Sequence, residues 1–335
     1  MKTSSIKSEL DSNASAVNEF ILRSLEGKPK ELYQASSHLI RSGGKRLRPF
    51  MVIKSCEMLG GTQKRALPAA AAVELVHNFT LVHDDIMDND EMRHGTETVH
   101  RYYGMPLAIL SGDILFSKAF QLITFNGRKV GIPDKDITNM VAQLSRACTQ
   151  ICEGQATDIG YASSSKFPKD DDYIKMIRKK TAALFEVSCA LGGLCAPNHS
   201  EEDVENLSLF GRNIGIAFQL VDDLIGVVGD PKLTGKAAGN DIREGKKTYP
   251  ILLALKCAKG EDKDKILKVF GSKNSSNADI KEAVRIISDI GIEQDVRNTA
   301  RKHMNDALKA LESNGDSDAK RSLQFSADFV VGRSL

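Results

Sequence analysis

The sequence predicts an all-α protein built as a single domain spanning residues 1–335, and three observations carry that expectation. Apolar residues recur at the 3.6-residue period of a helix in almost every apolar segment, and no stretch alternates as a half-buried strand does. Helix-start signals stand in place. Pro68 and Pro106 lead into long apolar runs, and the acids of Pro133-Asp-Lys-Asp and Ser200-Glu-Glu-Asp sit where a helix dipole favours negative charge. Connections are short and marked by Gly or Pro, with no Ser/Gly-rich or Pro-rich linker to divide the chain.

In order, the periodicity predicts helices at 13–27, 30–42, 45–59, 66–90, 106–126, 133–160, 170–195, 201–229, 247–258, 261–270, 278–290, 292–313 and 317–330. Residues 1–12 are polar and read as a flexible tail, and Met1 to Glu19 carries no apolar core of a signal peptide. The longest irregular stretches, 89–105 and 230–246, each follow an aspartate-rich helix end, which marks them as functional loops. No run reaches the roughly 18 apolar residues of a membrane span.

Composition narrows the function. Hydrophobic residues make up 41% and charged residues 27% of the 335, the balance of a soluble chain with a large core. A net charge of only +2 gives no bulk field for nucleic acid or an anionic membrane, so anion binding must be local. The six cysteines (Cys56, Cys148, Cys152, Cys189, Cys195 and Cys257) form no C-x-x-C and sit mostly in apolar helical stretches. They read as buried structural thiols in a reducing cytoplasm.

Chemistry concentrates at two helix ends. In Asp84-Asp85-Ile86-Met87-Asp88, Asp84 and Asp88 lie one turn apart on one face, with His77 two turns before Asp84. Similar paired acids, Asp222-Asp223, end a second long apolar helix, and Ala217-Phe-Gln-Leu-Val-Asp-Asp223 echoes Asn78-Phe-Thr-Leu-Val-His-Asp-Asp85. Acids on a bare helix face repel each other, and a solvated acidic helix end is the ordinary reading of such a cluster. The apolar run Ala69 to Val82 and the repetition of the motif argue instead for a bound cation. Oxygen-only ligands select a hard ion, magnesium or manganese, and magnesium favours phosphate co-ligands. Cations stand nearby in sequence: Gly43-Gly-Lys45-Arg-Leu-Arg48-Pro49 at a helix start, Arg93-His94-Gly95 after the first acidic motif, and Gly235-Lys236, Asp241 and Gly245-Lys246-Lys247-Thr248 after the second.

This ordered set resembles the all-trans isoprenyl diphosphate synthases, the polyprenyl synthetases. The likeness extends from Gly43 to Arg333 through Glu74-Leu-Val-His77, the first D-D-x-x-D with Arg93, Gly154-Gln155 with Asp158, Lys180-Thr181, and Phe218-Gln219 to Asp223. The resemblance implies antiparallel helices around a deep central cavity, usually a homodimer. It also implies the reaction: an allylic diphosphate ionises, isopentenyl diphosphate attacks the cation, and a proton leaves to the released diphosphate. It implies about three magnesium ions that neutralise the leaving group, with Asp84, Asp88 and Asp222 as ligands and Asp85 and Asp223 in support. Arg93, Lys180 and Lys236 would hold the allylic diphosphate, with Lys246 a further substrate contact. Gly44, Lys45, Arg48, His77 and His94 would hold isopentenyl diphosphate. Lys180, Thr181 and Gln219 would set dipoles against the nascent cation.

Three positions depart from the family pattern. Gly226 replaces the last aspartate of the second motif, with Asp230 four residues on; His94 replaces a second arginine; and Glu97 stands where proline is frequent. Product length is read from the residues before the first motif. Phe79 and Thr80, with no insertion in the motif, resemble archaeal-type geranylgeranyl diphosphate synthases and imply a C20 product, with Phe116 a partner in the blockade. Thr80 lies on the Asp84 face, whereas an ideal wheel turns Phe79 about 140° away. The alternatives are a C15, C25 or longer product, a terpene cyclase, or a non-catalytic regulatory subunit.

Overall fold

The computed structural model describes residues 3–229, 239–272 and 274–332, with no side-chain description for residues 3–5 and 331. Among these the chain is helical throughout, apart from its connections and one two-stranded ribbon. Its helices are α1 Thr3–Ser24, α2 Lys30–Arg41, α3 Leu47–Met58, α4 Gln63–Asp88, α5 Val99–Tyr103, α6 Met105–Gln121, α7 Gly127–Lys129, α8 Asp134–Ser163 and α9 Asp170–Ile177. They continue as α10 Ala183–Cys195, α11 Glu201–Val228, α12 Asn240–Glu244, α13 Tyr249–Cys257, α14 Gly260–Val269, α15 Asn277–Ile290, α16 Ile292–Ala310 and α17 Asp318–Val331. Backbone packing groups the chain into two compact units. One comprises Met1–Cys148, Leu184–Ser208 and Ser313–Phe325, the other Thr149–Ala183, Leu209–Glu312 and Ser326–Leu335.

The first unit is organised around α4. Its residues Ala69 to Val76 are all buried, and so are Met51, Val52 and Ile53 of α3 and Ala108, Leu115 and Ala119 of α6, both of which pack on it. Small side chains on α4 let those helices approach, and the result is a helix too apolar to stand in water alone. α4 begins at Thr62, whose side chain accepts from the Arg65 N–H, so Pro68 lies inside the helix and not at its start. A threonine cap of this kind contributes about 1 kcal/mol. At α11 the expected start holds: Ser200 and Asp203 exchange hydrogen bonds as a capping box, and these bonds hold the Asp203 carboxyl below its usual range.

Several expectations are corrected. Residues 3–12 are not a tail: α1 runs from Thr3, Ile6 is buried, and Glu9 accepts from both Lys54 and Ser322. The polar composition conceals this, because the apolar stripe of α1 is narrow. The 89–105 stretch contains a hairpin, Met92–Arg93 against Thr96–Glu97, and the short helix α5. The helices expected at 106–126 and 170–195 are each interrupted by a π turn, at Leu122–Asn126 and Arg178–Ala182. Cys152 and Cys257 are exposed, whereas the other four thiols are buried. The segment Met105–Lys129 is long and apolar enough to cross a membrane by length and composition. Ser111, Gly112, Leu115 and Ala119 within it are buried, and the helix packs on α4.

Candidate active site

At the end of α4 the two adjacent aspartates have different surroundings. Asp84 is half-buried and Asp88 exposed, on the same helix face. Asp85 is buried and accepts from Arg93 Nε, while Arg93 Nη2 reaches Asp90 at 3.3 Å. Burial pushes the Asp85 carboxyl up to about 6, with the Arg93 charge opposing it. Its second oxygen, Oδ2, is buried without a hydrogen-bond partner, an acceptor that a cation or its bound water would satisfy. Arg93 is thus committed to Asp85 first. His94 and Gly95 form the hairpin turn, both at positive φ (50° and 79°), the geometry of a type I′ turn. That turn exposes His94, and the backbone carbonyl of Glu97 meets the His38 ring nitrogen at 2.8 Å.

In the glycine-rich loop Lys45 is exposed and Arg48 half-buried. Arg48 Nη1 lies 3.3 Å from His77 Nε2, and its guanidinium stacks 4.3 Å over the Phe185 ring. Burial and the Arg48 charge hold His77 well below its ordinary range, so the ring is neutral and accepts from Arg48. Gly44 sits at φ 139° in the same loop. Phe79 of α4 packs on His83 at 4.8 Å and on Phe116 of α6 at 5.2 Å, and Phe120 extends the cluster. Thr80 gives its hydroxyl to the His77 carbonyl.

The second unit carries the other motif. Asp222 is half-buried. Asp223 is 5% exposed and takes hydrogen bonds from Tyr173 OH and, at 2.8 Å, from Gln219 Nε2. Burial raises its carboxyl well above the usual range, against those two donors. Thr181 Oγ1 donates to Gln219 Oε1 at 2.7 Å, which fixes the amide in one orientation and completes a chain from Thr181 through Gln219 to Asp223. Lys180 pairs with Asp158, and Lys180 and Thr181 both fall in the π turn, a deformation frequent at functional sites. Gly154 makes the turn's approach to α8 possible, since a Cβ there would lie 2.7 Å from the Lys180 Cα. Gly226 likewise leaves room for the Asp241 carboxylate, which any side chain at 226 would overlap. A carboxylate from α12 therefore stands beside the position, one turn after Asp222, where the motif lacks its last aspartate.

Lys246 is exposed and pairs with Glu244 at 2.7 Å. Lys247 turns inward instead, giving its ammonium to the carbonyls of Tyr161, Ser164 and Lys166. Gly235, Lys236 and Asp230 lie outside the described residues. No motif in the sequence marks Tyr173 or the inward turns of Arg46 and Lys247. Tyr173 stands seven residues before Lys180, two helical turns away, and that spacing is the one signal that points to it.

The donor set fits a hard divalent ion. All candidate ligands are carboxylate oxygens, and among the described residues no group of three or more His, Cys, Asp or Glu could hold a metal by itself. Magnesium is commonly held by one or two carboxylates, with waters and substrate phosphates filling its octahedron.

The chain is 42% identical over 321 residues to geranylgeranyl diphosphate synthase of Sulfolobus acidocaldarius, covering 95% of this chain and 96% of that protein. Its fold matches the crystal structure of geranylgeranyl pyrophosphate synthetase from Pyrococcus horikoshii with a TM-score of 0.91, at 38% identity and over 100% of both chains. A polyprenyl synthase from Caulobacter crescentus, solved with calcium and isoprenyl diphosphate, matches with a TM-score of 0.88 at 29% identity, over 98% of this chain and 97% of that one. Residues 29–287 match the model of the polyprenyl synthetase family, and the chain belongs to that family.

Proposed function

We infer that the protein is a magnesium-dependent trans-prenyltransferase that condenses an allylic diphosphate with isopentenyl diphosphate to geranylgeranyl diphosphate. The observation that carries this reading is a division of labour repeated at both acidic motifs. In each, one aspartate is buried and hydrogen-bonded (Asp85 to Arg93, Asp223 to Tyr173 and Gln219), while its neighbour, Asp84 or Asp222, remains accessible. Buried carboxylates of this kind orient a site, and accessible ones serve it.

In this reading Asp84, Asp88 and Asp222 are the metal ligands, and manganese could replace magnesium. Bound magnesium supplies Lewis-acid neutralisation of the departing diphosphate. Arg93, Lys180 and Lys236 grip the allylic diphosphate, and Lys246 adds a further contact. Gly44, Lys45, Arg48, His77 and His94 receive isopentenyl diphosphate; His77 acts by holding the Arg48 guanidinium. The fixed dipoles of Thr181 and Gln219 are oriented before reaction, so they need no reorganisation as the cation forms. The tail ends against Phe79 and Thr80. Residues 1–335 act as one catalytic domain, in the cytoplasm, where four buried free thiols stay reduced. A homodimer fits the exposed apolar side chains of Tyr102, Met105, Ile109 and Leu110 on α5 and α6.

The test is incubation of the protein with radiolabelled isopentenyl diphosphate, magnesium and each allylic primer in turn, with products resolved by chain length. A C20 product that disappears in excess chelator and returns with magnesium or manganese is expected. Turnover that persists in excess chelator, or no incorporation with any primer, overturns the reading.

A further inference from the structure

Of the three cations in the Gly43–Arg48 loop, the middle one is buried. Arg46 is 7% exposed and sits at φ 49°, ψ 40°, in the left-handed region. Its guanidinium is divided among three helices. Nε donates to Asn18 Oδ1 of α1, Nη1 to Glu74 Oε1 of α4, and Nη2 to the Ile40 carbonyl near the end of α2, each at 2.8 Å. Glu74 is 2% exposed, and its Oε1 also accepts from Asn78 Nδ2 at 3.0 Å.

Stability alone does not account for this arrangement. A buried ion pair gains little over well-packed apolar groups of the same volume, because both charges lose their water. A left-handed arginine adds backbone strain, which persists only where the surroundings over-determine it. What the pair supplies is geometry. A guanidinium is a planar fork with several fixed donors, and a lysine ammonium could not meet three acceptors in that plane. The loop is fitted to the fork: a Cβ at Gly44 would lie 2.7 Å from Arg46 Nη1. On either side of it in sequence, Lys45 is exposed and Arg48 reaches His77.

We propose that Arg46 is a positioning residue for isopentenyl diphosphate: its guanidinium, clamped by Asn18, Ile40 and Glu74, sets the loop so that Gly44, Lys45 and Arg48 meet one diphosphate together. The inference rests on the reading of this loop as the isopentenyl diphosphate site. Arg46 touches no substrate; it acts through its neighbours. Glu74 shares the role, and the two residues work as one device.

Steady-state kinetics on the full chain, with each substrate varied in turn at saturating co-substrate, test this directly. Lys45→Ala serves as the direct-ligand control. Arg46→Lys and Glu74→Gln should each raise the KM for isopentenyl diphosphate by about tenfold while the KM for the allylic diphosphate stays within about twofold. The double variant should be no worse than the worse single one, as expected of groups acting as a unit. Asn18→Ala removes only one of the three acceptors, from the neighbouring helix α1. It should raise the same KM by a smaller factor, and it keeps the test alive if the other variants do not fold. A wild-type KM for isopentenyl diphosphate in every variant that folds overturns the proposal. So does an equal loss for both substrates. If Lys45→Ala itself leaves that KM unchanged, the reading of the loop fails, and the proposal falls with it.

Discussion

Adjacent aspartates on one helix take different roles because a helix turns by about 100° per residue. Asp84 stays accessible and Asp85 is buried, and the buried one takes Arg93 as its partner. The same logic sets Asp223 apart, whose two carboxylate oxygens are taken by Tyr173 and Gln219. Tyr173→Phe removes one of these donors with little change in side-chain shape. A buried acceptor left short of a donor costs about 1–3 kcal/mol. The variant should lose that much in denaturant unfolding and bind magnesium more weakly in a titration with a diphosphate analogue. Unchanged stability together with unchanged metal affinity would show that the bond from Tyr173 to Asp223 holds nothing in place.

At the scale of elements, two consequences can be measured. The aromatic contact of Phe79 with Phe116 closes the space between α4 and α6. Close-packed interiors yield little to overlap, so Phe79→Ala should open that space and move the main product from C20 towards C25, read by chain-length analysis. An unchanged product would place the floor elsewhere. Gly154→Ala puts a methyl group against the backbone of Lys180, which cannot swing aside as a side chain could. Overpacking of this kind costs about 1–3 kcal/mol, and a raised KM for the allylic diphosphate should accompany it, because Lys180 must shift. The helices themselves were legible in the sequence, since period and caps agree over long stretches such as α11. Their interruptions were not: a π turn adds one residue and shifts the apolar stripe too little to break the pattern across Arg178–Ala182. Nor were the inward cations, because sequence gives a charge and not its direction. Arg46 and Lys247 look like their neighbours Lys45 and Lys246 until the loop's course is known.

For the molecule as a whole, fold class and family were legible because many weak signals occur in one order, from Gly43 to Thr248. Global stability depends on details that no motif announces. His303 of α16 donates from Nδ1 to Asn213 Oδ1 at 2.9 Å, and Asn213 in turn donates to the Leu209 carbonyl. Burial holds His303 below its ordinary value of about 6.5. The unfolded chain therefore binds a proton more readily than the folded one. This residue's contribution is complete above pH 6.5 or so and is lost as pH falls from there through the lower folded value. Against His303→Gln, the wild-type melting temperature should fall more steeply on acidification from about pH 7 to about pH 5. Parallel curves would show that the ring does not titrate with folding.

The three carbonyls held by the Lys247 ammonium belong to the end of α8 and to the exposed connection that follows it, near Lys166 and Lys169. A protease needs several residues of pliable, extended chain in its cleft, and a segment fastened from inside cannot supply them. Lys247→Met should leave those carbonyls without their donor and the connection loose. Brief treatment of the native protein with trypsin should then nick the variant after Lys166 or Lys169, while the parent chain passes through the same digestion with that connection intact.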